Sequence, residues 1–284
     1  MPNMDMLRDQ FMQNAVLATL FAGISCALIG VLVVTMRLSF IGVCMSHSAF
    51  AGALLGLVIG WNPLATAMLF SLAAAGALGP IADRGEFDPD TAMGVVFSSS
   101  LGLSFLLLAL VPGPKTEALS LLWGSILTVT RTNLLLMAGV ALGILVLLKL
   151  FYKEIEAVMF SRELALACGV PATAVFYGLL VASGLAITTS LSAIGGLLVF
   201  SLVINPAAAA YQIARNLKNM FLLAVTFGIL SGWVGLALSC ILNLPTGALI
   251  IVVSSIIFIT ATVFSPKKKK LQASIVEAGK TENG

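Results

Sequence analysis

Charged residues are so unevenly spaced along this chain that six long stretches contain none. The charge-free stretches are residues 10–36, 38–82, 91–114, 132–148, 164–214 and 219–266. A helix needs about 20 apolar residues to cross a membrane, so the longest stretches each hold two helices joined by a tight turn. Turn-forming residues occur at the required places, namely Asn62-Pro63, residues 189–196 and residues 244–247. The pattern therefore predicts eight or nine spanning helices.

Nine spans satisfy both the hydrophobic pattern and the placement of basic residues. They are predicted near residues 14–35, 40–60, 63–82, 92–111, 132–151, 172–190, 194–213, 219–241 and 247–264. Lys and Arg in short loops mark the cytoplasmic side. An N-terminus outside the cell places the following basic positions inside: Arg37, Arg84, residues 153–162, Arg215, Lys218 and the four lysines at 267–270. Eight spans remain the alternative, if the first helix does not cross fully or one helix is broken.

The composition fits a protein whose surface faces lipid. Hydrophobic residues make up 60% of the 284 residues, charged residues only 10%, and the mean hydropathy is +1.09. A soluble domain carries about 25% charged residues to keep its surface wetted. We therefore expect an all-α integral membrane protein of the cell membrane, without a cleavable signal peptide and without nucleic-acid binding. Residues 1–265 would form one transmembrane domain, and residues 266–284 a basic, disordered cytoplasmic tail that contacts anionic lipid.

Glycines recur every fourth residue in three places. They are Gly52, Gly56 and Gly60, then Gly139 and Gly143, then Gly228 and Gly232. Small residues at this spacing let helix backbones approach closely in lipid. We expect them to mark helix-packing faces of a compact bundle.

One cytoplasmic segment differs from the other loops. Residues 153–171 are long for a loop, are rich in helix-forming residues, and end in Gly169-Val170-Pro171, a helix stop signal. A short helix in an inside loop is what a membrane subunit needs in order to take up force from a soluble partner. A helical connector without such a partner fits the same residues.

Polar residues inside the predicted spans are few, and each is a candidate functional group because burying an ionisable group in hydrocarbon is costly. His47, the single histidine, lies near the middle of the second span, with Cys44 almost one turn before it and Ser48 beside it. Imidazole and thiolate suit zinc, iron or copper. One span cannot complete a ligand set, so a metal here needs a second helix or a second copy of the chain. The alternative is a neutral histidine hydrogen-bonded between helices.

Asn205-Pro206 is the other polar feature, in the middle of the seventh predicted span. Pro206 frees a backbone carbonyl one turn earlier, and the resulting kink either lines a cavity or serves packing alone.

Several classes of protein require residues that the chain lacks. No GxxxxGK[ST] segment is present, so the chain does not bind ATP in the P-loop manner. HExxH, paired intramembrane carboxylates and a Ser/His/Asp set are also missing, which argues against an enzyme. A carboxylate-driven antiporter would need acidic residues within the spans, and every Asp and Glu falls in a loop or a terminus. Energy must therefore come from a partner, or the protein is a passive channel or a scaffold.

Short motifs that follow one another along the chain carry a family resemblance. They are RLSFIG at 37–42, SHSAFAG at 46–52, DTAMGVVF at 90–97, LWGSIL at 122–127, RELALACGV at 162–170, GGLLV at 195–199, NPAAAA at 205–210 and LPTG at 244–247. In this order they resemble the permease subunits of ABC importers for zinc, manganese or iron. The resemblance covers most of the predicted membrane domain.

The resemblance implies a homodimeric permease that works with two cytoplasmic ATP-binding subunits and an extracytoplasmic metal-binding protein. The divalent metal would be cargo and not a bound cofactor, and ATP would bind to the partner subunit. The metal pathway would be lined by His47, Cys44, Ser48 and Asn205. The coupling helix that docks on the ATPase would use Arg162, Glu163, Leu164, Gly169 and Val170. Pairing with a related permease to form a heterodimer remains open.

One position departs from the family pattern. The family commonly has an Asp one turn before the histidine, where this chain has Val43. With Cys44 as the replacement, a site would favour zinc or iron over manganese; otherwise this position holds no defined metal site, or the cargo has changed. A permease for a siderophore or cobalamin chelate is a further alternative, although such chains are usually longer.

Overall fold

The computed structural model describes residues 10–38, 40–83, 89–112, 115–116, 118–119 and 129–265. All regular secondary structure in these residues is helical, which confirms the all-α membrane fold. The helices that it defines there are α1 Gln10–Thr35, α2 Ile41–Ile59, α3 Pro63–Asp83, α4 Pro89–Leu110, α5 Arg131–Leu150, α6 Tyr152–Phe160, α7 Arg162–Ala167, α8 Ala172–Ile194, α9 Gly196–Ile213, α10 Leu217–Leu242 and α11 Thr246–Val263.

The long helices correspond one for one to the nine predicted spans, with ends that differ by no more than four residues. Within the described part of the chain, eight helices are long and apolar enough to cross a membrane. The ninth long helix in the described residues is α3, which has 21 residues. Helix α1 has 26 residues, enough to cross a membrane fully. The count of nine spans stays a prediction.

Local sequence explains where several helices begin and end. Gly60 takes the left-handed conformation, with φ 74°, at the end of α2. Asn62 then accepts a hydrogen bond from the backbone N–H of Leu64 through Oδ1 at 2.9 Å, which caps the start of α3. The predicted turn at residues 189–196 is wrong in extent, because α8 continues to Ile194 and only Gly195, with φ 88°, separates it from α9.

The interior of the bundle is formed mainly by α1, α2 and α8. In α1 and α2, 72% of the apolar stretch is buried, against 17% in α4 and α11. Helix α1 contacts α5, α8, α9 and α10, and is therefore enclosed on most sides. The outer faces of α4, α5, α10 and α11 carry exposed apolar side chains, which suit lipid or another membrane protein.

The repeated glycines do not all have the same role. Gly52 and Gly56 on α2 pack closely against α3, where a Cβ added at Gly52 would lie 2.7 Å from the Cβ of Phe70. Gly139 and Gly143 on α5 have the same spacing but face open space within this chain. The expectation that they mark a packing face within the bundle is therefore wrong.

Several sequence predictions lie outside the described residues. They are Arg84, the motif at 122–127, and residues 266–284 with their four lysines. The division into a transmembrane domain and a cytoplasmic tail stays a prediction.

Candidate functional site

His47 lies on the one accessible face of the first half of α2. Between Ile41 and Phe50, every side chain is buried except those of Val43 and His47, which are half-buried. Residues four apart in a helix lie on the same face, so Val43 and His47 form a narrow accessible stripe. The chain's single imidazole is therefore open to one side of the bundle and enclosed on the other.

The imidazole is held by an aromatic contact and not by a hydrogen bond. Its ring meets the ring of Phe97 on α4 in an edge-to-face arrangement, with centroids 5.0 Å apart and planes at 76°. Nδ1 is buried and has no hydrogen-bond partner among the described residues. Nε2 is consequently the nitrogen available to a ligand on the accessible side.

Cys44 and Ser48 lie on the enclosed side of α2. Cys44 has no exposed surface, and Ser48 is 2% exposed. The Ser48 hydroxyl is 2.9 Å from the hydroxyl of Ser100 on α4, which joins the two helices. The boundary between buried and accessible surface thus runs between these two residues and His47, although all three are close on the helix.

Asn205 belongs to a polar cluster between α9 and α11. Its Nδ2 lies 3.0 Å from Ser201 Oγ, 3.0 Å from Ser254 Oγ and 3.1 Å from Ser255 Oγ. The two amide hydrogens can donate to two of these hydroxyls at a time, which leaves Oδ1 as the acceptor for a further partner. Ser201 and Ser254 are also hydrogen-bonded to each other at 2.9 Å.

The His47 stripe and the Asn205 cluster lie on elements that meet through α9. A Cβ added at Gly42 on α2 would lie 3.1 Å from the Phe200 ring on α9. Asn205 makes its interhelical hydrogen bonds with α11, on another side of α9. Helix α9 also carries exposed apolar side chains, at Leu197, Phe200 and Tyr211.

The predicted coupling segment forms the short helix α7, which is firmly attached to α8. The Ser161 hydroxyl caps α7 by accepting a hydrogen bond from the Leu164 backbone N–H at 3.3 Å. Arg162 donates from Nη2 to Thr173 Oγ1 at 3.3 Å, and its guanidinium lies 4.9 Å from the centroid of the Phe176 ring.

The end of α7 depends on Gly169. This residue has φ 79°, and the backbone N–H of Val170 then donates to the Ala165 carbonyl at 2.9 Å. Ala165 is buried, whereas Leu164 is 57% exposed. Glu163 lies in the first turn of α7, where a negative charge suits the helix dipole.

Exposed apolar side chains surround this segment. We call Phe160, Leu164 and Leu166 the coupling surface; they are 84%, 57% and 50% exposed. Large exposed apolar side chains beside charged residues are typical of a surface that another protein covers.

Sequence reasoning missed Phe97 and Ser100. Phe97 ends the DTAMGVVF motif, but the motif alone did not indicate which side chain contacts His47. In the described part of the chain, no three His, Cys, Asp or Glu side chains group as a metal site. The described residues of this site therefore offer the imidazole and neutral oxygen atoms.

Known proteins resemble this chain over nearly its whole length. The family model described as the ABC 3 transport family matches residues 8–265. An uncharacterized membrane protein of Synechocystis sp. is 37% identical over 258 residues, which cover 91% of this chain and 92% of that protein. The manganese transport system membrane protein MntC of Listeria monocytogenes is 31% identical, with 93% and 94% covered. The solved structure of PsaBC from Streptococcus pneumoniae in complex with Fab matches with a TM-score of 0.84 at 30% identity, with 95% and 98% covered.

Proposed function

Since the chain belongs to the ABC 3 transport family, we propose that it is the membrane-spanning permease subunit of an ATP-driven importer for a divalent transition-metal ion. The observation that carries this proposal is the position of His47. The only histidine in the chain is half-buried on an accessible stripe of a spanning helix, with Nε2 free for a ligand. An ionisable group in such a place usually serves a transport pathway.

A second copy of the chain would complete the pathway. One imidazole cannot replace the water ligands of a dication, and the described residues offer no cluster of charged ligands to help it. Phe40, just before α2, and Leu197 and Phe200 on the neighbouring helix α9 are exposed apolar side chains that a partner helix could cover. Two copies related by a twofold axis would bring two His47 side chains to one interface.

Manganese is the cargo that we favour. Cys44 is fully buried and so adds no soft ligand to the accessible stripe. The ligands left near the pathway are an imidazole and neutral oxygen atoms, a set that does not select for zinc as thiolates would. The MntC protein of Listeria, which is similar over nearly the whole chain, is named for manganese transport.

The energy would come from a cytoplasmic ATP-binding subunit, because this chain has no P-loop. The coupling surface at Phe160, Leu164 and Leu166 would receive that subunit. The metal would be delivered from outside by a separate binding protein, and the chain itself would hold no permanent cofactor. The permease would lie in the cell membrane with its lysine-rich C-terminus in the cytoplasm.

Uptake of radioactive manganese by cells that express the complete transporter tests this function. We expect His47→Ala to lower uptake at least about tenfold, since loss of a metal ligand removes more than 1.4 kcal/mol of binding. Cys44→Ala and Ser48→Ala should lower manganese uptake less than His47→Ala does. Asn205→Ala should lower uptake at normal abundance if Asn205 lines the pathway, and should lower the abundance of the permease if Asn205 serves only packing.

The matched control is Phe105→Ala, which alters an exposed side chain on α4. Permease abundance in the membrane is measured for each variant. Wild-type uptake of manganese, iron and zinc by His47→Ala at normal abundance would refute the proposed pathway. A complete transporter that moves none of these metals would refute the proposed cargo.

A further inference from the structure

We infer that α4 positions His47: Phe97 fixes the orientation of the imidazole, and Ser100 fixes the register of α2 against α4. This inference rests on the proposed function, because it assigns positioning residues to the same pathway. We call Phe97 and Ser100 the α4 clamp.

The first half of the clamp is the aromatic contact. The Phe97 and His47 rings meet edge to face, with 5.0 Å between their centroids. Phe97 itself is half-buried and packs against the main apolar core of the bundle. An edge-to-face pair prefers a defined geometry, which restricts the rotation of the imidazole.

No hydrogen bond from the described residues orients the imidazole through Nδ1. A histidine that binds metal usually donates its second ring N–H to a carboxylate, a carbonyl or a water, and this bond fixes the ring. Here Nδ1 is buried without a partner. The contact with Phe97 is therefore the described interaction that orients Nε2 toward the accessible side.

The second half of the clamp is the hydrogen bond between serines. Ser48 follows His47 directly, and its hydroxyl is 2.9 Å from the hydroxyl of Ser100. Ser100 comes three residues after Phe97 and so lies on nearly the same face of α4. Two contacts on successive turns of α4 thus hold two successive residues of α2, and a shift of α4 along α2 would disturb both.

The single histidine makes the inference directly measurable. Purified permease labelled with ¹³C in histidine gives one set of imidazole NMR signals, because His47 is the only histidine. We expect Phe97→Leu to shift these signals, since the ring current of Phe97 is lost and the imidazole gains rotamers. Phe97→Tyr keeps the aromatic edge and should leave the signals near their wild-type positions.

Phe105→Leu is the matched control, because Phe105 lies on the same helix but is 66% exposed. Its His47 signals should coincide with those of the wild type. Signals that stay unchanged in Phe97→Leu, or that move equally in Phe105→Leu, would overturn the inference. If Phe97→Leu does not fold, Ser100→Ala takes its place, with a smaller shift as the expected result and no shift as the contrary one.

Metal uptake tests whether the contact between Phe97 and His47 matters for transport. We expect Phe97→Leu to reduce manganese uptake about two- to tenfold, the range that corresponds to one aromatic pair, and Phe97→Tyr to restore it. Unchanged uptake in Phe97→Leu at normal abundance would show that the contact does not position the histidine for transport. If His47→Ala itself transports normally while the NMR shift is present, the clamp stands and the proposed function of His47 fails.

Discussion

Gly23 on α1 and Gly228 on α10 lie back to back, so closely that a Cβ added at Gly228 would be 2.7 Å from the Gly23 carbonyl oxygen. One turn away, a Cβ at Gly232 would be 2.9 Å from the Cβ of Thr19. Backbone atoms cannot move aside as a flexible side chain can. The two helices therefore depend on glycine to reach this separation.

We expect Gly228→Ala to destabilise the folded permease by about 1–3 kcal/mol, the usual effect of overpacking a tight contact. Gly139→Ala should be neutral or slightly stabilising, because Gly139 faces open space and alanine favours a helix. Thermal unfolding of both purified variants in the same detergent checks this difference. Equal melting temperatures of the two variants would show that α1 and α10 can move apart to accept the added methyl group without loss of stability.

The sequence predicted the helices well because charge spacing records membrane crossing directly. It also placed His47 correctly on α2 and identified the segment that forms α7. In contrast, the burial of Cys44 could not be predicted from the sequence, because Cys44 and His47 are only about 60° apart around a helix. Almost every neighbouring residue is apolar, so no pattern marks where the interior ends.

The contact between His47 and Phe97 was equally hidden from sequence. The serines of α4 at 98–100 follow one another and so point in different directions around the helix, and periodicity therefore does not indicate which face meets α2. That choice depends on how α2, α3 and α4 pack together. Asn205 illustrates the same limit, since its serine partners on α11 lie about 50 residues further along the chain.

Val43 and His47 share the accessible stripe of α2, which predicts the effect of placing a carboxylate there. We expect Val43→Asp to lower the apparent KM for manganese about tenfold and to raise the preference for manganese over zinc, because carboxylate oxygen suits manganese. Uptake kinetics with each metal measure both effects.

Two variants control this experiment. Val43→Asn adds polarity without charge and should leave the metal preference closer to that of the wild type. Cys44→Asp places a carboxylate on the adjacent, fully buried position and should reduce the amount of folded permease. If Val43→Asp and Val43→Asn have the same KM and the same preference, position 43 does not face the metal.

The coupling surface predicts which side chains the ATP-binding subunit contacts. Leu164→Ser should reduce co-purification of that subunit and metal uptake together, since it removes an exposed apolar side chain of α7. Leu222→Ser is the control on α10, where the leucine is 69% exposed. Retention of the subunit by Leu164→Ser at the wild-type level would exclude the coupling surface as the docking site.

The shape of α7 should matter as well as its surface. Gly169→Ala forces a side chain into a left-handed conformation, at a cost of about 1–2 kcal/mol, and Ser161→Ala removes a helix cap worth about 1 kcal/mol. We expect both variants to keep their melting temperature nearly unchanged, because α7 is short and lies at the edge, but to lower ATP-driven uptake. Normal uptake by both would show that coupling does not require the folded α7.

The native cysteines can decide the orientation of the chain in the membrane. Cys168 is exposed at the end of α7. Cys240 is half-buried near the C-terminal end of α10, which the predicted topology places on the outer side of the membrane. With α7 in the cytoplasm, a membrane-impermeant maleimide should label Cys168 in inside-out vesicles and not in intact cells. It should label Cys240 in intact cells. Cys168→Ser and Cys240→Ser identify each signal.

Cys26 and Cys44 are fully buried and should react only after denaturation. Labelling of Cys168 in intact cells would invert the topology, and would place the coupling surface where no ATP-binding subunit could reach it.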